Sequence, residues 1–181
     1  MLFILNMPEN IIKIRKARLN DILTISTMWL EFAKTQNEIV EKHCPQHLDG
    51  YCLKKNDDEI FRDSVRKMIH SKNGLVLLSE FDEKPVGYSI SIIKKNSPFF
   101  QLEKFGYIED MFVREESRGL GISSKLKDES FKWLRRKGIE KVFLNVLSNN
   151  SQAIEVYEKW GFSTFKSEMR MDLSNRDKNV S

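Results

Sequence analysis

The residues best equipped for chemistry in this chain lie in one stretch, Tyr107 to Leu126. At its centre is Arg118-Gly119-Leu120-Gly121-Ile122-Ser123-Ser124, with a strand pattern before it and a helix pattern directly after. A strand, a glycine turn and a helix N-terminus make an anion site. The first backbone N–H groups of a helix have no internal partner, and the helix dipole is positive there. Gly119 and Gly121 permit a close approach that a side chain would block. Ser123 and Ser124 add hydroxyl donors, and the Arg118 guanidinium is suited to a phosphate oxygen. A plain structural turn is the competing reading of the same glycines. Two other phosphate patterns are excluded: the third glycine of the dinucleotide fingerprint is missing, and no Gly-Lys-Ser/Thr follows as in a P-loop.

The elements that must position this turn follow from periodicity. Ile12, Ile14 and Lys16 alternate with Lys13 and Arg15, so residues 11–18 form a first strand. Asn20-Asp21 supply capping side chains, and Ile22, Ile25, Trp29 and Phe32 form a helical stripe that continues to about residue 42. Residues 43–56, with Pro45 and Gly50, read as a loop. Asp57-Asp58-Glu59 place negative charge where a helix start favours it, and Phe61, Val65, Met68 and Ile69 carry that helix to His70. Leu75–Leu78 is a buried strand, residues 81–85 a turn, and Val86, Tyr88, Ile90 and Ile92 the alternating partner strand. Ser97-Pro98 breaks it. A strand over 105–113, a helix over 121–137 closed by Gly138, a strand over Val142–Val146 and a helix from Asn149-Asn150 to about 159 follow. Residues 162–172 are expected to hold one or two final strands. The fold class is α/β with a mixed sheet, without internal repeats or a linker that would divide it. The expected layout is an extension over 1–10, one domain over 11–173 and a polar tail over 174–181.

Composition narrows the class. The 181 residues carry 30 Lys+Arg against 26 Asp+Glu, and a net charge of +4 is too small to argue for nucleic acid or a membrane surface. Met1–Leu5 is too short for a signal h-region, no apolar run spans a bilayer, and two cysteines make no disulfide framework, so a cytoplasmic location is expected. Met7 stands as an alternative start to Met1. His43, Cys44, His47 and Cys52 cluster in one loop, but their spacing fits no zinc pattern and no metal is expected.

At this point the chain resembles the GNAT superfamily of acyl-CoA-dependent N-acyltransferases. The family's pyrophosphate motif, Gln/Arg-x-x-Gly-x-Gly/Ala, is matched by Arg118, Gly121 and the residues between, while Ser123 stands where Gly or Ala is usual. Residues 145–162, NVLSNNSQAIEVYEKWGF, resemble its later motif, with Asn150, Ala153, Tyr157 and Gly161-Phe162 in register. The segment Ile108–Val113 is similar to the strand of the diamine-acetylating branch. The resemblance covers about residues 11–173 and implies a GNAT-like fold with acetyl-CoA as co-substrate. It implies that the backbone of residues 118–123, with Ser124, holds the pyrophosphate. Met111, Phe112 and Val113 would pair with the pantetheine arm as an added strand. Asn150 would hydrogen-bond that arm, and Tyr157 would lie near the thioester sulfur.

The implied reaction is direct attack of a primary amine on the thioester. An alkyl amine has a pKa of about 10.4, so freeing its base at pH 7 costs about 4.6 kcal/mol, and a base is required. Glu109 is the candidate, because alternation puts Tyr107, Glu109, Met111 and Val113 on one face and Asp110 on the other. A salt-bridged strand residue is the competing reading. A free N–H near Met111–Val113 suits the oxyanion. Tyr157 is suited to donate to the thiolate, although full transfer from a phenol runs about 2 kcal/mol uphill.

Residues 38–59 carry six acids (Glu38, Glu41, Asp49, Asp57, Asp58, Glu59) against three lysines (Lys42, Lys54, Lys55), a rim that favours a cationic acceptor such as a polyamine, a lysine side chain or an aminoglycoside-like amine. Helix capping explains part of that charge. The alternative reading is a non-catalytic acyl-CoA-binding regulatory module on the same fold. A nucleic-acid-binding domain, suggested by Arg135-Arg136-Lys137, gives way to a solvated helix end. The acceptor is left unidentified and a homodimer open.

Overall fold

The structure, a computed structural model, describes residues 11–173; the expected extension and tail lie outside the described residues. The elements in order are β1 (Ile12–Lys16), α1 (Ile22–His43), α2 (Asp57–His70), β2 (Gly74–Phe81), β3 (Lys84–Lys95), β4 (Lys104–Val113), α3 (Ile122–Arg136), β5 (Val142–Leu144) and α4 (Ser151–Lys159). They form two compact units. One runs up to Phe32 and resumes over Asn56–Asn145; the other comprises Ala33–Lys55 and the residues from Val146 onward.

The first unit holds the whole five-stranded sheet, in the order β1-β2-β3-β4-β5. The first four strands are antiparallel neighbours, and β5 joins β4 in parallel through only three residue pairs, Gly106↔Val142 to Ile108↔Leu144. Each face is covered by helix. On one face Ile22, Ile25 and Met28 of α1 and Phe61 and Val65 of α2 pack on Val76, Leu78, Tyr88, Ile90 and Phe112. Trp29 stacks on Phe61 with ring centroids 4.4 Å apart. On the other face Ile122, Leu126, Trp133 and Leu134 of α3 pack on Leu75, Leu77 and Val86. Strands covered on both sides explain why β2 and β3 are near-continuously buried.

Several boundaries follow the expected chemistry. α2 begins at Asp57 and ends at His70, where the charge pattern put it. Asp21 does cap: its Oδ2 accepts from the Arg18 N–H at 2.7 Å, although the first turn is a short 3-10 turn, Leu19–Asp21, ahead of α1. The Arg15 guanidinium binds both oxygens of Asp21, at 2.7 and 2.9 Å, and holds that carboxyl below its usual range. The hairpin between β2 and β3 is tighter than the expected turn over 81–85. Only Asp82 and Glu83 lie outside the strands, both with positive φ (48° and 66°), as a two-residue hairpin requires.

In the second unit α4 is capped by Asn150, whose side-chain oxygen accepts from the Ala153 N–H at 3.1 Å. The expectation of final strands over 162–172 is not met: no strand follows α4 among the described residues. Alternation marks a face that wants cover but does not supply the neighbouring strand. β5 likewise stops at Leu144, two residues short of the expected Val146.

Candidate functional site

The site is built where β4 leaves the sheet. The Arg114 N–H donates to the Val86 carbonyl of β3 at 2.8 Å. Backbone groups alternate sides along a strand, so Phe112 also faces β3, and Met111 and Val113 turn their N–H and C=O groups the other way. On that side β5 ends its pairing at Ile108, so the main chain of Met111 and Val113 borders an open edge with no strand among the described residues. The Val113 carbonyl instead accepts from Arg118 Nε at 3.2 Å. This bond ties the glycine turn to the edge and leaves the two terminal nitrogens of Arg118 without a carboxylate among the described residues.

β4 reaches this position because Gly87 lets it. A Cβ on Gly87 would lie 2.6 Å from the Phe112 carbonyl oxygen and 2.9 Å from Ser79 Oγ. The end of β4 is also pinned by Arg114, which pairs with Glu31 of α1 at 2.9 Å and donates to the Pro85 carbonyl at 3.4 Å.

The turn has backbone that only glycine adopts readily. Gly119 and Gly121 both take left-handed backbone, φ 79° and 76°. Gly121 is the N-cap of α3 and has no side chain to satisfy the helix start, so the N–H groups of Ile122, Ser123 and Ser124 keep their outward donors. Ile122 is buried against α3's own core and anchors the turn, Ser123 and Ser124 are half-buried, and Arg118, Gly119, Leu120 and Gly121 are exposed. The N–H groups at the start of α3 and the terminal nitrogens of Arg118 thus offer donors, and none of residues 118–124 is acidic.

The carboxylates depart from simple alternation. Ile90 pairs with Asp110 but Ser91 pairs with Ile108, so Glu109 is an extra residue in a β-bulge. The bulge breaks the expected common face of Glu109 with Met111 and Val113. Beyond it, Met111 and Val113 face α3, and Asp110 shares the α1/α2 face with Phe112. Glu109 is half-exposed and pairs with Lys94 at 2.9 Å, while Lys94 also sits 3.6 Å from the Tyr107 ring centre. Asp110 is the residue the sequence reading passed over. Burial first, and the neighbouring Glu109 charge second, push its carboxyl from 3.8 up to about 7. No cation or hydrogen-bond donor among the described residues is paired with it. Tyr88, fully buried on the same face, has a hydroxyl without a partner among the described residues and a phenol raised well above its ordinary value, by burial and then by Asp110. The signal that would have found Asp110 is the pairing register, which sequence periodicity does not carry across a one-residue insertion.

Asn150 and Tyr157 belong to the second unit. Asn150 spends its oxygen on the α4 cap and keeps its amide nitrogen as a donor. Tyr157 is half-buried, with its ring edge-on to Trp160 at 5.6 Å and to Phe162 at 6.0 Å. In the same unit the Asn149 side chain donates to Cys44 Sγ at 3.4 Å. No group of three or more His, Cys, Asp or Glu that would hold a metal ion occurs among the described residues. No helix among them is long and apolar enough to cross a membrane.

Comparison with known proteins agrees with this geometry. The family model described as the Acetyltransferase (GNAT) family matches residues 31–162. The chain is 26% identical over 115 residues to a mycothiol acetyltransferase of Saccharomonospora viridis, an alignment covering 63% of this chain and 38% of that protein. Thus the chain spans about two fifths of that relative's length. The fold superposes on the BH1408 protein of Bacillus halodurans, a tetramutant, with a TM-score of 0.73 at 21% identity over 89% of this chain and 99% of that one. It also superposes on a predicted acetyltransferase of Clostridium acetobutylicum solved with acetyl-CoA, with a TM-score of 0.67 at 18% identity over 91% and 98% of the two chains.

Proposed function

The chain belongs to the acetyltransferase (GNAT) family, and from that premise we propose that it transfers an acetyl group from acetyl-CoA to a primary amine by direct attack on the thioester. The observation that carries this reading is the junction of the open β4 edge with the uncapped start of α3. The α3 N–H groups and Arg118 receive the pyrophosphate, and the pantetheine amides extend along Met111–Val113 as a further strand would. A main-chain N–H of Met111 or Val113 is then available to the oxyanion as the tetrahedral intermediate forms. Asn150 contributes its side-chain nitrogen to the same arm.

Asp110 is the preferred base. A carboxyl held near pH 7 is half ionised under working conditions and matched to accepting a proton from an amine, directly or through a water. Glu109 is the second candidate. Its pair with Lys94 supports an electrostatic part, in which its charge keeps Asp110 protonated longer. Tyr157 keeps the role of donor to the departing thiolate. The acceptor on this reading is a cationic amine, favoured by the two adjacent carboxylates Glu109 and Asp110 on β4. Two free cysteines suit a reducing, cytoplasmic setting.

The test is calorimetry with acetyl-CoA, followed by free-thiol release across a panel of neutral, monocationic and polycationic amines. The reading expects binding, thiol release, and a preference for cationic acceptors. Binding without release on any amine would instead favour a regulatory acyl-CoA sensor.

A further inference from the structure

The basic run Arg135-Arg136-Lys137 closes α3, where the helix dipole favours cations. That accounts for the residue types but not for their surroundings. Glu129, Trp133, Arg136 and Lys137 follow one another at steps of four, three and one, which puts them on one side of α3 and its C-cap. This side borders a cleft against the β1–β2 edge of the sheet. The cleft consists of two cavities of about 240 and 220 Å³. Lys16, Leu75 and Trp133 line both, so the two join end to end at Lys16. Lys72 and Lys137 border the first cavity and Arg136 the second. Leu75 and Trp133 are buried and form the floor, whereas the four cations are exposed at the rim.

The charge on this cleft is unbalanced. Lys16, Lys72, Arg136 and Lys137 have no carboxylate partner among the described residues. The acid that lines the cleft, Glu129, is held by Lys132 at 2.7 Å. The other cation there, Arg15, is engaged by Asp21 and Glu80, each at 2.7 Å. Four unpaired cations thus stand on one cleft in a chain whose whole surplus is +4, so the remaining charges sum to zero. Such a gathering repels itself, and low-dielectric walls focus its field on an anion. Dipole compensation explains a cation at the end of α2 or α3, but Lys16 lies on a strand. The cations also stand in sequence along the cleft, with Lys16 in the middle. A single small anion would meet one cavity; a linear chain of negative groups meets both.

We propose that this cleft binds an oligophosphate chain, either inorganic or carried by a nucleotide, with Lys16 at its centre. Ammonium and guanidinium groups both bind phosphate oxygens. Ser71 also lines the first cavity; its oxygen accepts from the Asn73 N–H at 3.1 Å, which leaves its proton to donate. The cleft is separate from the glycine turn. Gly121 and Trp133 are twelve positions apart on one helix, about 18 Å along its axis. Nothing in the proposal depends on acetyl transfer.

Tripolyphosphate titrated at low salt into the whole ¹⁵N-labelled chain, followed by amide and indole NMR shifts, tests it. Saturable shifts are expected at the amides of Lys16, Ser71, Lys72, Arg136 and Lys137 and at the Trp133 indole. An exposed cation contributes up to about fivefold in affinity. The double variant Lys16→Gln/Lys137→Gln should therefore weaken the affinity read from those shifts about tenfold or more. Lys84→Gln removes the same type of charge at the hairpin end of β2 and β3, away from Gly74, and should stay within about twofold of wild type. ATP should shift the same amides: tighter binding than tripolyphosphate assigns the site to a nucleotide and equal binding to the bare chain, and either supports the proposal. Shifts confined to residues 118–124, a double variant that binds as the wild type does, or a loss in Lys84→Gln as large as in the double variant would each overturn it. So would citrate binding as tightly as tripolyphosphate, or single-stranded RNA shifting these amides where tripolyphosphate does not.

Discussion

Replacing Asp110 with asparagine isolates the cost of holding a carboxyl inside the sheet–helix interface. The side chain is half-buried, and desolvation raises its pKa from 3.8 to about 7. At about 1.4 kcal/mol per pKa unit, the charged form is disfavoured in the folded protein by roughly 4 kcal/mol. The sign follows from proton binding. In the unfolded chain Asp110 loses its proton near pH 4, whereas the folded protein keeps it until about pH 7. Between those values the folded state binds more protons, so this group's contribution to stability falls as pH rises and is fully lost above pH 7. Asp110→Asn is neutral and nearly isosteric, so it removes the dependence. Urea unfolding of both proteins from pH 4.5 to 8.5 should show the variant gaining on the wild type as pH rises, by a few kcal/mol at pH 8. The same substitution should lower kcat/KM on the order of 10²-fold or more and abolish the rise in rate expected of the wild type approaching pH 7. A stability difference that stays flat across this range refutes the burial argument. A retained pH–rate profile in Asp110→Asn refutes the assignment of the base, and a loss of that profile in Glu109→Gln would move it to Glu109.

Three further outcomes follow from the same geometry. Gly121→Val introduces a side chain at φ 76°, where nothing lies within 4 Å of the new Cβ. It should cost about 1–2 kcal/mol in backbone strain but weaken acetyl-CoA binding at least tenfold by calorimetry. Gly87→Ala drives a methyl to within 2.6 Å of the Phe112 carbonyl oxygen and should cost about 1–3 kcal/mol in urea unfolding. Because Phe112 lies between Met111 and Val113, coenzyme affinity should fall with stability in that variant. Tyr157→Phe should leave acetyl-CoA affinity within a factor of two of wild type and reduce turnover on the order of 10²-fold; an unchanged turnover removes the tyrosine from the reaction.

What the chain reveals before folding depends on the range of the interaction. α2 was legible because Asp57-Asp58-Glu59 and the spacing of Phe61 and Val65 act within the helix itself. The turn at Gly119 and Gly121 was legible because positive φ is a local demand. The β4 bulge was not: it is a property of two strands, and a single extra residue, Glu109, reverses the faces of everything after it. Hence the carboxylate chosen by alternation is the exposed one paired with Lys94, and the less exposed one is its neighbour. The final strands failed for a related reason. Residues 162–172 have the alternation of a strand, but a strand exists only with a neighbour, and no single-segment pattern names one.

The parting of β4 from β5 after Ile108 carries a consequence for how freely this region tolerates change. A surface read through peptide groups makes no demand on side-chain identity. Met111 and Val113 are therefore open to substitution by other residues that fill the α3 side, whereas Gly87 and the bulge at Glu109 govern where the peptide groups lie. Random mutagenesis screened for coenzyme retention should record scars at Gly87, Gly119 and Gly121 and a wide vocabulary at Met111 and Val113.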